Sequence, residues 1–103
     1  MNGESLMAYV TVSTWKSESA IEDQDAMWRV IEEKYAPAAK AMGASSVSFV
    51  RVSDTETMII STYADKAASD AADAKRAEIR SQGASEFNAT MTSDVRGDVM
   101  VSA

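Results

Sequence analysis

Neither histidine nor cysteine occurs in this sequence, and the two absences remove much of the side-chain chemistry on which small domains rely. Without histidine no side chain has an ordinary pKa near neutrality, so the commonest general base and the commonest metal or haem ligand are both missing. Without cysteine there is no disulfide, no thiolate nucleophile and no sulfur-ligated metal site, which fits a reducing compartment. Proline occurs once, at Pro37. No apolar run approaches the roughly 20 residues that cross a bilayer, and the opening MNGESLM is too polar and too poor in basic residues for a secretory signal. Lysine and arginine number 10 against 16 Asp and Glu, a net charge of −6, and they form no cluster. That balance opposes a nucleic-acid backbone or an anionic membrane surface, so neither partner is expected. A cytoplasmic location follows.

What is present suits one domain over 1–103. A chain of 103 residues buries roughly two-thirds of its unfolded surface without staples. Charged residues at 25% and hydrophobic residues at 46% are ordinary globular values. Met1 to Ser5 reads as a frayed tail. Leu6 to Trp15 is β-branched and aromatic enough for a first strand, with Leu6, Ala8, Val10 and Val12 alternating against Met7, Tyr9, Thr11, Ser13 and Trp15. Ser19-Ala20-Ile21-Glu22 has the capping-box pattern and predicts a helix start. Ile21, Met27, Trp28, Ile31, Tyr35, Ala38 and Met42 then recur near helical spacing. Pro37 predicts a kink or break around Tyr35 and Ala36, and Gly43 a stop.

The stretch from Ser46 to Tyr63 predicts a hairpin, with Ser53-Asp54-Thr55-Glu56 as its polar turn. Symmetric closure puts Val50 opposite Ile59 and Ser48 opposite Ser61. One face then carries Val47, Phe49, Met58 and Ile60, and the other Ser48, Val50, Ile59, Ser61 and Tyr63. Asp65 can cap a second helix with Ala67, Ala68, Ala71, Ala72 and Ile79 inside. Gly83 ends or bends it, Ser85 to Ser93 forms a short helical piece, and Val99 to Val101 makes the last strand.

Strand, helix, strand, strand, helix, strand is the order of an α+β, ferredoxin-like βαββαβ fold: a four-stranded antiparallel sheet with both helices on one face. The uncovered face is apolar on every strand, and a second copy packed about a two-fold axis is the simplest cover, so a homodimer is expected. In this pattern, from Leu6 to Ser102, the chain resembles the dimeric α+β barrel proteins that include antibiotic-biosynthesis monooxygenase-like domains. The best local match is ISTYADKAASDAADA, Ile60 to Ala74, where a strand ends in an aromatic and a polar cap opens the second helix. The resemblance implies that Tyr63 faces a pocket between sheet and helices, with Ser48 and Ser61 beside it. It also implies that Val47, Phe49, Met58 and Ile60 face into the dimer barrel. Relatives that oxidise substrates or bind haem often use a pocket histidine, for which this chain offers only Ala71 and Ala72.

Arg96-Gly97-Asp98 spells an adhesion tripeptide and Asn88-Ala89-Thr90 a glycosylation sequon, but matches this short arise by chance and lack an extracellular context here. Glu32, Glu33 and the other carboxylates lie along solvated faces. No phosphate loop, metal cluster or nucleophile elbow is present, and no cofactor is expected. The candidate binding residues are Tyr9, Ser48, Ser61 and Tyr63 as polar points among Met27, Trp28, Ile31, Val50, Ile59, Phe87 and Met91. Such walls suit a hydrophobic small molecule, fatty-acyl-like or polycyclic. Two other readings stay open: a cofactor-independent monooxygenase acting on a phenol, and a non-catalytic assembly module.

Overall fold

In the computed structural model, which describes residues 7–103, the chain runs β1 (Tyr9–Ser17), α1 (Gln24–Val30), one π-helical turn (Ile31–Tyr35), α2 (Ala36–Ala41), β2 (Ser46–Arg51), β3 (Glu56–Tyr63), α3 (Lys66–Ala71), α4 (Asp73–Phe87) and β4 (Ala89–Asp98). The expected tail, Met1 to Ser5, and Leu6 lie outside the described residues. All strand pairs are antiparallel, in the order β2-β3-β1-β4. This is the ferredoxin-like α+β arrangement expected from the order of elements.

The first helix starts later than the capping box predicts. Asp23 is the N-cap, its Oδ1 accepting from the Ala26 amide at 2.9 Å. Ser19 instead lies in the bend after β1, where its carbonyl accepts from the Ser17 hydroxyl at 2.8 Å. The helix does not break at Pro37. The π turn immediately before it, closed by the Ala36 amide on the Ile31 carbonyl, widens the backbone where the proline ring would collide and where an amide is lacking. Gly43, at φ 111°, ends α2 as expected, since a left-handed residue is needed there.

The hairpin differs from its symmetric expectation by one residue. The Val52 amide donates to the Glu56 carbonyl at 2.9 Å, so the connection is Ser53 to Thr55 and Glu56 already belongs to β3. Phe49 therefore pairs with Ile59, Val47 with Ser61 and Ser48 with Ile60. A slip of one residue moves every side chain of one strand to the other face. Val47 and Phe49 turn towards the helices, whereas Ser48 and Val50 turn away.

Asp65 caps α3 as expected, accepting from the Ala68 amide at 2.8 Å. The helical run is then interrupted at Ala72, and α4 passes through Gly83 and Ser85 to Phe87. Gly83 neither ends nor bends it. Asn88, at φ 50°, is the left-handed stop, and β4 begins at Ala89 rather than Val99. Arg96-Gly97-Asp98 thus lies inside a strand. Thr92 is the extra residue of a bulge opposite Thr14 and Trp15, and its hydroxyl donates to the Thr14 carbonyl at 3.2 Å.

The alternation of the strands gives the sheet two distinct sides. On the helix side Tyr9, Thr11, Ser13, Ser17, Ser61 and Tyr63 are buried. Met27, Ile31 and Tyr35 form one core cluster with Phe49, Ile79 and Phe87 against it, and Ala44, Tyr63 and Ala72 form another. The other side presents Val10, Val12, Met58 and Ile60 half-buried, with Val50 at 38% and Val95 at 62% exposure. Among the described residues nothing covers it. Among the described residues no helix is long and apolar enough to cross a membrane.

Candidate functional site

Two adjoining cavities lie between sheet and helices. The larger, about 110 Å³, is at the end of the sheet where the β2–β3 turn meets α1 and α4. Its apolar walls come from Trp15, Ile21, Met27, Ile31, Ile59, Ile79 and Phe87. Each arrives there for a local reason: Met27 and Ile31 are one helical turn apart, Ile59 alternates inward from β3, and Ile79, Gly83 and Phe87 form one stripe of α4. Phe87 is braced by Tyr35, ring centroids 5.6 Å apart and tilted by 54°. At the rim, the Gln24 amide donates to the Ile21 carbonyl at 3.2 Å and the Asp54 carbonyl at 3.5 Å, tying α1 to the turn. Asp54 is itself paired with Arg51 at the hairpin tip.

The smaller cavity, about 60 Å³, is lined by Thr11, Ser13, Ser61, Tyr63, Arg76 and Arg80 together with Ala39 and Met42. Ile59, Ile79 and Arg80 border both spaces. Arg76, only 4% exposed, is the most unusual residue of the molecule. Its Nη2 donates to the carbonyl and hydroxyl of the fully buried Ser69 at 3.2 and 3.1 Å, and Nη1 pairs with Asp73. The guanidinium carbon stands 5.3 Å from the Tyr63 ring centroid, a cation–π contact. Asp73 also takes Arg96 at 2.9 Å, while Asp94 Oδ2 is shared by Arg96 at 3.1 Å and Arg80 at 3.0 Å. Three guanidinium groups thus meet two carboxylates.

These contacts set the protonation of the acids. The hydrogen bond from Arg96 holds the Asp73 carboxyl below its usual range, with Arg76 adding to it. Burial works to raise Asp94, but hydrogen bonds from Arg96 and Arg80 outweigh it and keep that carboxyl low. Arg96 is pushed up by the same two partners, Asp94 first. Both carboxylates are therefore ionised around neutral pH.

Of the residues singled out in the sequence, Met27, Ile31, Ile59 and Phe87 line the larger cavity, and Ser61, Tyr63 and again Ile59 the smaller. Tyr9 is buried on the same side and pairs with Tyr63 across β1 and β3, but borders neither space. Trp28 packs on the outside of the Met27 cluster. Ser48 and Val50 are exposed on the opposite side of the sheet, carried there by the hairpin register, and Met91 is 38% exposed on β4. Trp15, Ile21, Ile79, Gly83, Arg76 and Arg80 also line the site and are not among the sequence candidates. The spacing held a signal for Arg76: it lies on the stripe through Ala72, Ile79 and Gly83.

No protein-family model matches the sequence, and no curated protein matches it. Among solved structures it is similar to a protein of unknown function from Nitrosomonas europaea, with a TM-score of 0.61 at 14% identity over 95% of each chain. At that identity the likeness carries the fold alone.

Proposed function

We propose that this protein is a homodimeric binding domain for a hydrophobic small molecule held between its sheet and its helices. The observation that carries the reading is the apolar cavity of about 110 Å³. Engineered cavities of roughly 150 Å³ with similar walls stay dry and take up benzene, so the space accommodates a body of about one ring. A long acyl chain or a polycycle needs the rim at Gln24 and Asp54 to open.

The dimer rests on the uncovered side of the sheet. Val95, Val12 and Ile60 form one apolar row across β4, β1 and β3, Met58 and Val50 a second across β3 and β2, and Val10 lies beside them; a second copy packed face to face buries these residues. That assembly is the one implied by the resemblance to antibiotic-biosynthesis monooxygenase-like barrels. Native mass spectrometry of the purified protein, with thermal shift against small apolar probes, tests both parts. A dimer carrying or responding to a ligand supports the reading. A monomer at micromolar concentration removes the assembly, and a dimer indifferent to every probe leaves only a module for assembly.

A cofactor-independent monooxygenase acting on a phenol is the second reading. It is favoured by the apolar walls of the larger cavity, since water exclusion protects a substrate carbanion or peroxide. Oxygen uptake with a panel of hydroxyquinones supports it; no uptake across the panel counts against it.

A further inference from the structure

We infer that the molecule held here is an amphipathic anion, a ring-sized apolar body bearing one carboxylate that meets Arg80 at the wall shared by the two cavities. The inference rests on the small-molecule reading above and specifies its chemistry. The apolar space alone would admit any neutral hydrocarbon. Its inner boundary is not neutral, because Arg80 stands between Ile59 and Ile79 and faces both spaces.

Charge bookkeeping around this wall favours an anion. Among the described residues Arg76, Arg80 and Arg96 share Asp73 and Asp94 alone, three positive charges against two negative. Arg76 and Arg80 are 5% and 19% exposed at the side chain, and an unmatched cation in such surroundings is costly. Arg80 binds Asp94 through Nη1 alone, and its other donors have no partner among the described residues. A guanidinium with free donors suits the planar, two-pronged acceptor geometry of a carboxylate. Behind it, Thr11, Ser13 and Ser61 place hydroxyls around the smaller cavity. The Ser13 oxygen accepts from the Trp15 indole at 2.9 Å, which leaves its own proton to donate. The one acid in the wall of the larger cavity, Asp54, is at the opposite rim and is neutralised by Arg51.

The test is calorimetric titration of the full chain with benzoate and phenylacetate, their neutral amides benzamide and phenylacetamide, and toluene. A charge-assisted pair predicts that the acids bind about tenfold more tightly than the amides. Arg80→Gln should abolish that preference, and Arg80→Lys should keep part of it. Toluene binding with acids no tighter than amides overturns the inference and leaves the hydrophobic-ligand reading standing. A preference that survives Arg80→Gln also overturns it. Failure of toluene, acids and amides alike overturns the reading and the inference together. Should Arg80→Gln fail to fold, the acid-to-amide ratio in the unaltered protein still decides.

Discussion

The phenolic hydroxyl of Tyr35 donates a 2.5 Å hydrogen bond to Oε1 of Glu86, the oxygen that Lys34 also reaches at 3.0 Å. The contact locks the π-helical turn to the end of α4, beside the larger cavity. Burial first, then the bond to Glu86, pushes the Tyr35 phenol up to about 12. A raised folded value means that this contribution to stability is fully present below the unfolded phenol's pKa of about 10 and is lost as pH rises through the folded one. Absorbance titration should show one of the three tyrosines ionising late, and Tyr35→Phe should remove that late step and cost about 1 kcal/mol.

Asp73 and Asp94 contribute to the acid limb, beside Glu86, whose carboxyl the Tyr35 and Lys34 hydrogen bonds also hold low. Both folded carboxyls are held low, so their contribution is present above the unfolded value of about 3.9 and is lost as pH falls through the folded values. Urea midpoints followed downwards from about pH 5 should decline, and Asp94→Asn should flatten that decline.

Gly83 faces the Tyr35 ring, and a methyl placed there would meet Cε1 at 3.5 Å, ordinary contact. Gly83→Ala should therefore raise stability by up to about 1 kcal/mol through helix propensity. Because Gly83 also lines the larger cavity, the same change should weaken binding of toluene. Greater stability with weaker binding is the expected pair of outcomes, read by denaturant melts and calorimetry.

Ile60 sits at the middle of the uncovered side of the sheet, between Val12 and Ser48. Ile60→Glu should shift sedimentation from dimer to monomer while leaving the circular dichroism spectrum of the fold unchanged. A variant that remains dimeric would locate the interface elsewhere.

The start of α1 can be assigned by two substitutions. Asp23→Ala should cost about 1 kcal/mol by removing the bond to the Ala26 amide, whereas Ser19→Ala should stay within about 0.5 kcal/mol. Chemical denaturation separates the two.

These residues also show what was legible in the sequence. The β-rich runs, the Asp65 cap and the Gly43 stop were readable because each is a local effect, and their order was enough for the α+β fold. The hairpin register was not, since Ser53-Asp54-Thr55-Glu56 closes equally well with three or four residues in the connection. That ambiguity is why Ser61 and Tyr63 fall in the site and Ser48 and Val50 fall outside it. Gly83 reads as a terminus because glycine weakens helices by about 1 kcal/mol, but Gly83 and Phe87 pack α4 on the Tyr35 ring and the helix runs on. β4 was hidden because Asp94 and Arg96 give a strand the polarity of a loop; only their pairing with Arg80 and Asp73 explains them. Arg76 is not among the sequence candidates, although its position in the stripe points inward.

The π turn settles a problem of phase. Met27, Ile31, Tyr35 and Ala39 are all buried and each is four positions from the next. In an unbroken α-helix that spacing drifts by about 40° per step, and by about 120° over the whole series. One inserted residue takes back about 100° of that rotation. Met27 and Ile31 can thus address the larger cavity while Ala39, two turns on, still addresses the smaller one.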